Sequence, residues 1–166
     1  ESRNLAAEKP EIVKDLAAKL AAFRKDTGAK MPTPNANYKP NPQAKDGTVT
    51  MPAKRATVHG EQPRFEPMPH KNTLGFWVNV KDYATWEFEL NDPGTYEVEL
   101  LVGCGNGSGG SEVDVFVGGE TLTFTVEQTG GFQNFVPRKI GQVKLTKVGR
   151  HSLEIRPQKK PGAAVM

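Results

Sequence analysis

The sequence contains one cysteine, Cys104. An intrachain disulfide is therefore excluded, as is a metal site built from several thiolates, and a single thiol leaves the redox compartment unread. No apolar run approaches the roughly 18 residues that a membrane-spanning helix needs. Neither sign of charge dominates: 22 basic and 19 acidic residues give a net charge of +3. A nucleic-acid binder gathers its basic residues into a stripe or patch. Here the signs are interspersed, so neither nucleic acid nor membrane is expected as a partner. The one local basic cluster is Arg156, Lys159 and Lys160. It reads as an exposed loop, or as a contact to an anionic sugar. Only three histidines occur, His59, His70 and His151, without the spacing of a metal site. No internal repeat is present. Apolar residues make up 36% of the chain, below the roughly 45–50% of average domains, a figure that also counts glycine.

What the chain does have is 17 glycines and 13 prolines in 166 residues. That composition suits short strands joined by turns. The length allows one compact domain with a short appendage. The sequence opens at Glu1 with no charged-then-apolar leader, and more protein is expected upstream.

Three segments follow. Residues 1–30 read as a helix. Pro10 suits the first turn, where its missing N–H has no partner to lose. Ile12, Leu16, Leu20 and Phe23 fall on one stripe, alanines fill the positions between them, and Gly28 is a stop. A lone amphipathic helix cannot bury its own stripe, so a partner surface upstream is expected. Residues 31–47 read as a linker. Pro32, Pro34, Pro40 and Pro42 alternate with Asn35, Asn37 and Asn41, which gives a semi-rigid spacer. Residues 48–166 read as all-β. Trp86, Phe88 and Leu90 alternate with glutamates, the turn 91–94 follows, and Tyr96, Val98, Leu100 and Val102 alternate again. After a glycine-rich loop, Val113, Val115 and Val117 lead into the Gly118-Gly119 hairpin; Leu122, Phe124 and Val126 return. Ile140, Val143 and Leu145, then Leu153 with Ile155, complete the pattern. Period-two patterning with regular turns argues for a sandwich or a barrel. The stretch 59–73 reads as a long ordered loop, a class that is often functional.

Catalytic and cofactor motifs fail on context. The run 105–110 matches a dinucleotide fingerprint in letters, but a strand follows it, not the helix that would face a pyrophosphate. Its glycines are expected to supply positive φ in a strand-to-strand loop. Serine, histidine and acidic residues occur in no nucleophile elbow. The acids mostly take the solvent positions of strands, not a hydrolytic pair.

Aromatic residues carry more information. A sugar ring offers an apolar C–H face that an aromatic ring covers, while amides and charged groups bind its hydroxyls. Phe132 follows Gly130-Gly131 and precedes Gln133 and Asn134, an aromatic at a turn beside two amides. Phe76 and Trp77 close the long loop, and alternation sends one inward and one outward. Trp77 is taken as the ligand-facing one, with His70 and Asn72 from the loop. For Phe132 and Trp77 a core role stays open. Trp86, Phe88, Tyr96, Phe124 and Phe135 are expected in the core.

Two stretches resemble known families. Glu1 to Ala6, Pro10 to Val13 and Thr27 to Pro32 look like the C-terminal end of a bacterial sulfatase. The catalytic signature of that family, Cys or Ser followed by x-Pro-x-Arg, is absent, because Gly105 and Asn106 follow Cys104. The resemblance implies an upstream sulfatase catalytic domain as partner and no catalysis here. The second set is Gly75-Phe76-Trp77, Trp86-Glu87-Phe88, Pro93 to Tyr96, Thr129 to Phe135 and Gly149 to Leu153. It resembles a carbohydrate-binding module of the galactose-binding-like jelly-roll group. That implies a mainly β jelly-roll sandwich, after one amphipathic helix and a proline-rich linker, with a polysaccharide or oligosaccharide ligand. It places Phe132 in the stacking position, where tryptophan is usual, and Phe135 in the core. Such modules carry a ligand-reaching residue on a final strand, which would begin where this chain stops at Met166. They also hold a structural calcium near that strand; with the strand absent, no cofactor is expected. The sulfatase resemblance implies a periplasmic or extracellular setting.

Overall fold

The computed structural model describes residues 4–32, 35 and 38–166. Glu1 to Arg3 of the sulfatase-like stretch, and Pro34 and Asn37 of the expected linker, lie outside the described residues. The chain divides into two units, residues 1–38 and 39–166.

The first unit is one helix, α1 (Pro10–Asp26). Pro10 stands in its first turn with Glu11, and Arg24 and Lys25 stand in its last. Both charge placements complement the helix dipole. At the end, Thr27 Oγ1 donates to Phe23 O at 2.7 Å and Ala29 N to Arg24 O at 3.0 Å, with Gly28 at φ 61°. This is the left-handed stop that glycine favours. The unit has no second element among its described residues, and Ile12, Leu16, Leu20 and Phe23 are all exposed.

The second unit holds nine strands. They are β1 (Thr57–His59), β2 (Arg64–Glu66), β3 (Thr73–Gly75), β4 (Tyr83–Leu90), β5 (Gly94–Cys104), β6 (Glu112–Val117), β7 (Glu120–Thr125), β8 (Gly131–Leu145) and β9 (Gly149–Lys159). A five-stranded sheet runs β1-β4-β9-β6-β7, and β5 pairs with β8 in a second sheet. All of these strand pairs are antiparallel. Alternation explains the packing between them. Ala84, Trp86, Phe88 and Leu90 of β4, Val113, Val115 and Val117 of β6, and Leu153 and Ile155 of β9 face one side and are buried. Val102, Cys104, Val143 and Leu145 of the smaller sheet join the same core. Trp86 satisfies its indole N–H on Pro52 O at 3.1 Å. The result is a jelly-roll β-sandwich.

Part of the expected spacer belongs to this unit. Pro42 bridges Glu89, and Gln43 is buried. Its carbonyl accepts from Asn91 N and Asp92 N at 2.8 and 2.9 Å, and its amide donates to Tyr96 Oη and Gly47 O. A proline-rich stretch still docks where its neighbours' side chains supply the hydrogen bonds that proline cannot. The stretch 59–73, expected as an ordered loop, is not loop throughout. It contains β2, which pairs with β3 as a hairpin. Past β9 the chain turns inward: Ala164 and Val165 are buried, and Val165 N donates to Trp77 O at 2.8 Å.

Candidate functional site

Phe132, Gln133 and Asn134 sit in the first turn-to-strand transition of β8, not in a turn. Gly130, at φ 87°, makes the turn. Gly131 then pairs with Cys104, but Val136 pairs with Val102. Five residue steps of β8 thus oppose two of β5. This wide bulge pushes the intervening residues out of the ladder, which is what bulges beside binding sites do. All three side chains are exposed.

The bulge is anchored by Thr129. Its N–H donates to Cys104 O at 2.9 Å, and its hydroxyl accepts from Cys104 N at 2.8 Å. That hydroxyl also lies 3.0 Å from Gly131 O. The Asn134 amide donates to Thr129 O. Asn134 therefore spends one donor on holding its own loop, and its remaining groups face outward.

Phe132 does not stand free. A Cβ on Gly105 would lie 2.5 Å from its ring, so the ring rests on bare glycine backbone. Gly103 makes similar room, with Phe132 O 2.4 Å and the Phe135 ring 3.1 Å from a Cβ there. Phe135 is half-buried over Gly103, and stands outside the buried core expected for it. The glycine-rich loop thus serves close approach at Gly103 and Gly105, and positive φ at Gly107 and Gly110. Gln128 Oε1 accepts from Gly107 N at 3.2 Å and braces the far side of the loop.

Trp77 is a correction. It is 3% exposed, its indole N–H donates to Asp82 O at 3.0 Å, and it packs in the core. It cannot cover a ligand. The outward partner is Phe76, which is 46% exposed and held at φ 60°. A bulky residue with positive φ is a genuine backbone outlier. Arg64 lays its guanidinium over the Phe76 ring, 3.5 Å from the centroid. His70 and Asn72 lie at the tip of the β2–β3 hairpin, and both are exposed. Among the described residues, no hydrogen bond or ring contact joins them to Phe132. The C-terminal tail links the two regions: Gly162 packs so closely on Gly107 and Ser108 that a Cβ would meet Gly107 O at 2.6 Å, and Val165 binds Trp77. Sequence reasoning missed Phe76 because strict alternation cannot tell which of two adjacent aromatics turns inward. It missed Gly105 because close packing across strands leaves no local signal.

The remaining candidates have structural partners. Arg156 pairs with Glu154 at 2.6 Å and lies over Tyr83; Glu154 raises its pKa. Lys159 pairs with Glu112, and Lys160 donates to Gly162 O and Ala163 O. The basic cluster is thus occupied at every member. Burial raises the Cys104 pKa and keeps the thiol neutral, which does not suit a nucleophile. His59 stacks on Tyr83 and bonds Thr85, and His151 bonds Lys147 O. Among the described residues, no three His, Cys, Asp or Glu side chains gather as metal ligands would. No helix among them is long and apolar enough to cross a membrane.

No protein-family model matches this chain, and no curated protein matches it. Solved structures do. A family 35 carbohydrate binding module from Clostridium thermocellum superposes with a TM-score of 0.53 at 14% identity, over 68% of this chain and 87% of that one. An exo-β-1,3-galactanase from Phanerochaete chrysosporium, solved with galactose, gives 0.53 at 17% identity over 70% of this chain. The match spans 28% of the galactanase. At such identities the shared property is the fold.

Proposed function

We propose that the β-sandwich is a non-catalytic carbohydrate-binding module. The observation that carries this reading is the exposed Phe132 ring, seated on Gly105 beside Gln133 and Asn134. A ring fixed on one face and open on the other offers a stacking surface without a large ordering cost. The two amides supply hydroxyl contacts. Phe76, with His70 and Asn72 on the neighbouring hairpin, extends the ligand surface. A fold shared with a carbohydrate binding module, and with part of a galactan-cleaving enzyme, supports the same reading.

The finer proposal concerns the setting. Residues 1–30 would be the terminal helix of an upstream sulfatase-like catalytic domain, residues 31–38 a tether, and residues 39–166 the module. The exposed stripe of α1 supports a partner surface upstream. Function would follow from proximity: a weak module on a short tether raises the effective concentration of the catalytic domain at its polymer. A polysaccharide substrate of that kind places the protein in the periplasm or outside the cell.

A second reading is a structural module that packs on the parent enzyme and binds no sugar. The exposed apolar side chain of Leu101, on β5, favours it. A glycan array of the folded protein, run beside Phe132→Ala, separates the two. Binding that is lost in the variant supports the sugar module. A well-folded protein that binds no glycan supports the structural one.

A further inference from the structure

Within the glycine-rich loop 105–110, the pair Asn106-Gly107 takes no part in the proposed site. Of the nine asparagines in the chain, Asn106 alone is followed by glycine. Ser108 N donates to Gly105 O at 3.1 Å and closes a turn with Asn106 and Gly107 at its tip. Gly105 and Ser108 are buried, while Asn106 and Gly107 are exposed. Gly107 stands at φ 80°, and nothing lies within 4 Å of where its Cβ would be. The Asn106 carboxamide has no hydrogen-bond partner among the described residues. One side chain restrains the turn: Gln128 Oε1 accepts from Gly107 N at 3.2 Å.

We infer that Asn106 is a site of spontaneous deamidation, restrained by Gln128, and that its products loosen the seat of Phe132. Hydroxide takes the Gly107 amide proton, and the nitrogen attacks Asn106 Cγ. The N–Cγ bond forms and the Cγ–Nδ2 bond breaks. Ammonia leaves with a proton from water, which regenerates the hydroxide. Water then opens the cyclic imide at either carbonyl. One opening yields aspartate; the other routes the backbone through the side chain as isoaspartate. Glycine favours the closure, because it has no Cβ to obstruct the ring and its backbone turns freely. Other asparagines are blocked or held. Asn41 precedes Pro42, which has no N–H to lose. The stiff, branched Thr73 and Val80 crowd the nitrogens that follow Asn72 and Asn79. Asp92 N, after Asn91, donates to Gln43 Oε1 at 2.9 Å, and the Asn134 amide donates to Thr129 O. Either product at Asn106 puts a new carboxylate beside Gly105, the residue under the Phe132 ring. Isoaspartate also lengthens the backbone directly after it. Gly162 lies against the same turn, since its Cβ would meet Gly107 O at 2.6 Å. The reaction needs no ligand, so it stands or falls separately from the carbohydrate-binding reading.

The test is incubation of the folded full chain at mildly alkaline pH, followed by peptide mapping that separates asparagine, aspartate and isoaspartate at each position. Conversion is expected first at Asn106, faster as pH rises, and suppressed at that position in Asn106→Gln, whose longer side chain closes a larger ring reluctantly. Gln128→Ala, a change at an exposed residue, should speed the reaction about two- to tenfold, the factor that one net hydrogen bond supplies. The converted protein is isolated by its added negative charge. It should keep a cooperative melting transition and exchange amides faster at residues 103–108 and 130–134 than the untreated protein. The inference is overturned if the folded chain converts at another asparagine first, or if Asn106 converts only after denaturation. An unchanged rate in folded Gln128→Ala overturns the restraint. Unchanged exchange at 130–134 in the converted protein overturns the effect on the seat of Phe132.

Discussion

The ring of Phe132 rests on the backbone of Gly105, so closely that a Cβ there would lie 2.5 Å from it. Two residues 27 positions apart in the sequence numbering form one unit: a glycine that provides the seat and an aromatic that uses it. Gly105→Ala is expected to fold, because the backbone at Gly105 does not require positive φ. Overpacking should cost about 1–3 kcal/mol. The displaced ring should lose its orientation, so glycan affinity falls while the melting transition stays cooperative. Calorimetry on both properties checks it.

Phe132 and Trp86 should behave as opposites. Phe132→Ala removes a half-exposed ring and should change stability by under about 1 kcal/mol. Trp86→Ala empties a buried site and removes a donor bonded to Pro52, at a cost of about 3–5 kcal/mol. Urea denaturation of the two variants measures both. A large loss of stability in Phe132→Ala would return that ring to the core.

Thr129 ties the bulge to β5 through its hydroxyl. Thr129→Val keeps the shape but leaves Cys104 N–H without its acceptor. A loss of about 1–3 kcal/mol is expected, together with faster amide exchange at residues 129–134. Hydrogen exchange followed by mass spectrometry reads this locally.

Much of this architecture was legible in the sequence. The alternation of Trp86, Phe88 and Leu90, and of the valines in β6, gave strands with the correct inward faces. Pro10 and Gly28 marked the helix. The missed features come from contacts that no local pattern encodes. The docking of Asn41 and Gln43 depends on backbone groups of β4 and the following turn, far along the chain. Trp77 and Phe76 are adjacent, and the positive φ of Phe76 decides which turns outward. The bulge in β8 follows from its register against β5, and register is a property of two strands together.

Cys104 is buried at the end of β5, and burial raises its thiol pKa. The folded state therefore favours the protonated thiol. Stability should be unaffected below the ordinary cysteine pKa, and should decline as pH rises above it, because only the unfolded chain releases the proton readily. Iodoacetamide at mildly alkaline pH should leave Cys104 unmodified in the folded protein and label it in denaturant. Rapid labelling of the native state would show that the β5 end opens.

The most direct measurement is glycan binding by the full chain on an array of neutral and sulfated polysaccharides, with Phe132→Ala and Gly105→Ala beside it. The account predicts binding to at least one polysaccharide, and a clear reduction of that signal in both variants, each confirmed as folded. Binding that is unchanged in both variants would contradict the placement of the site at Phe132. The absence of any binding by the folded protein would contradict the carbohydrate-binding function itself.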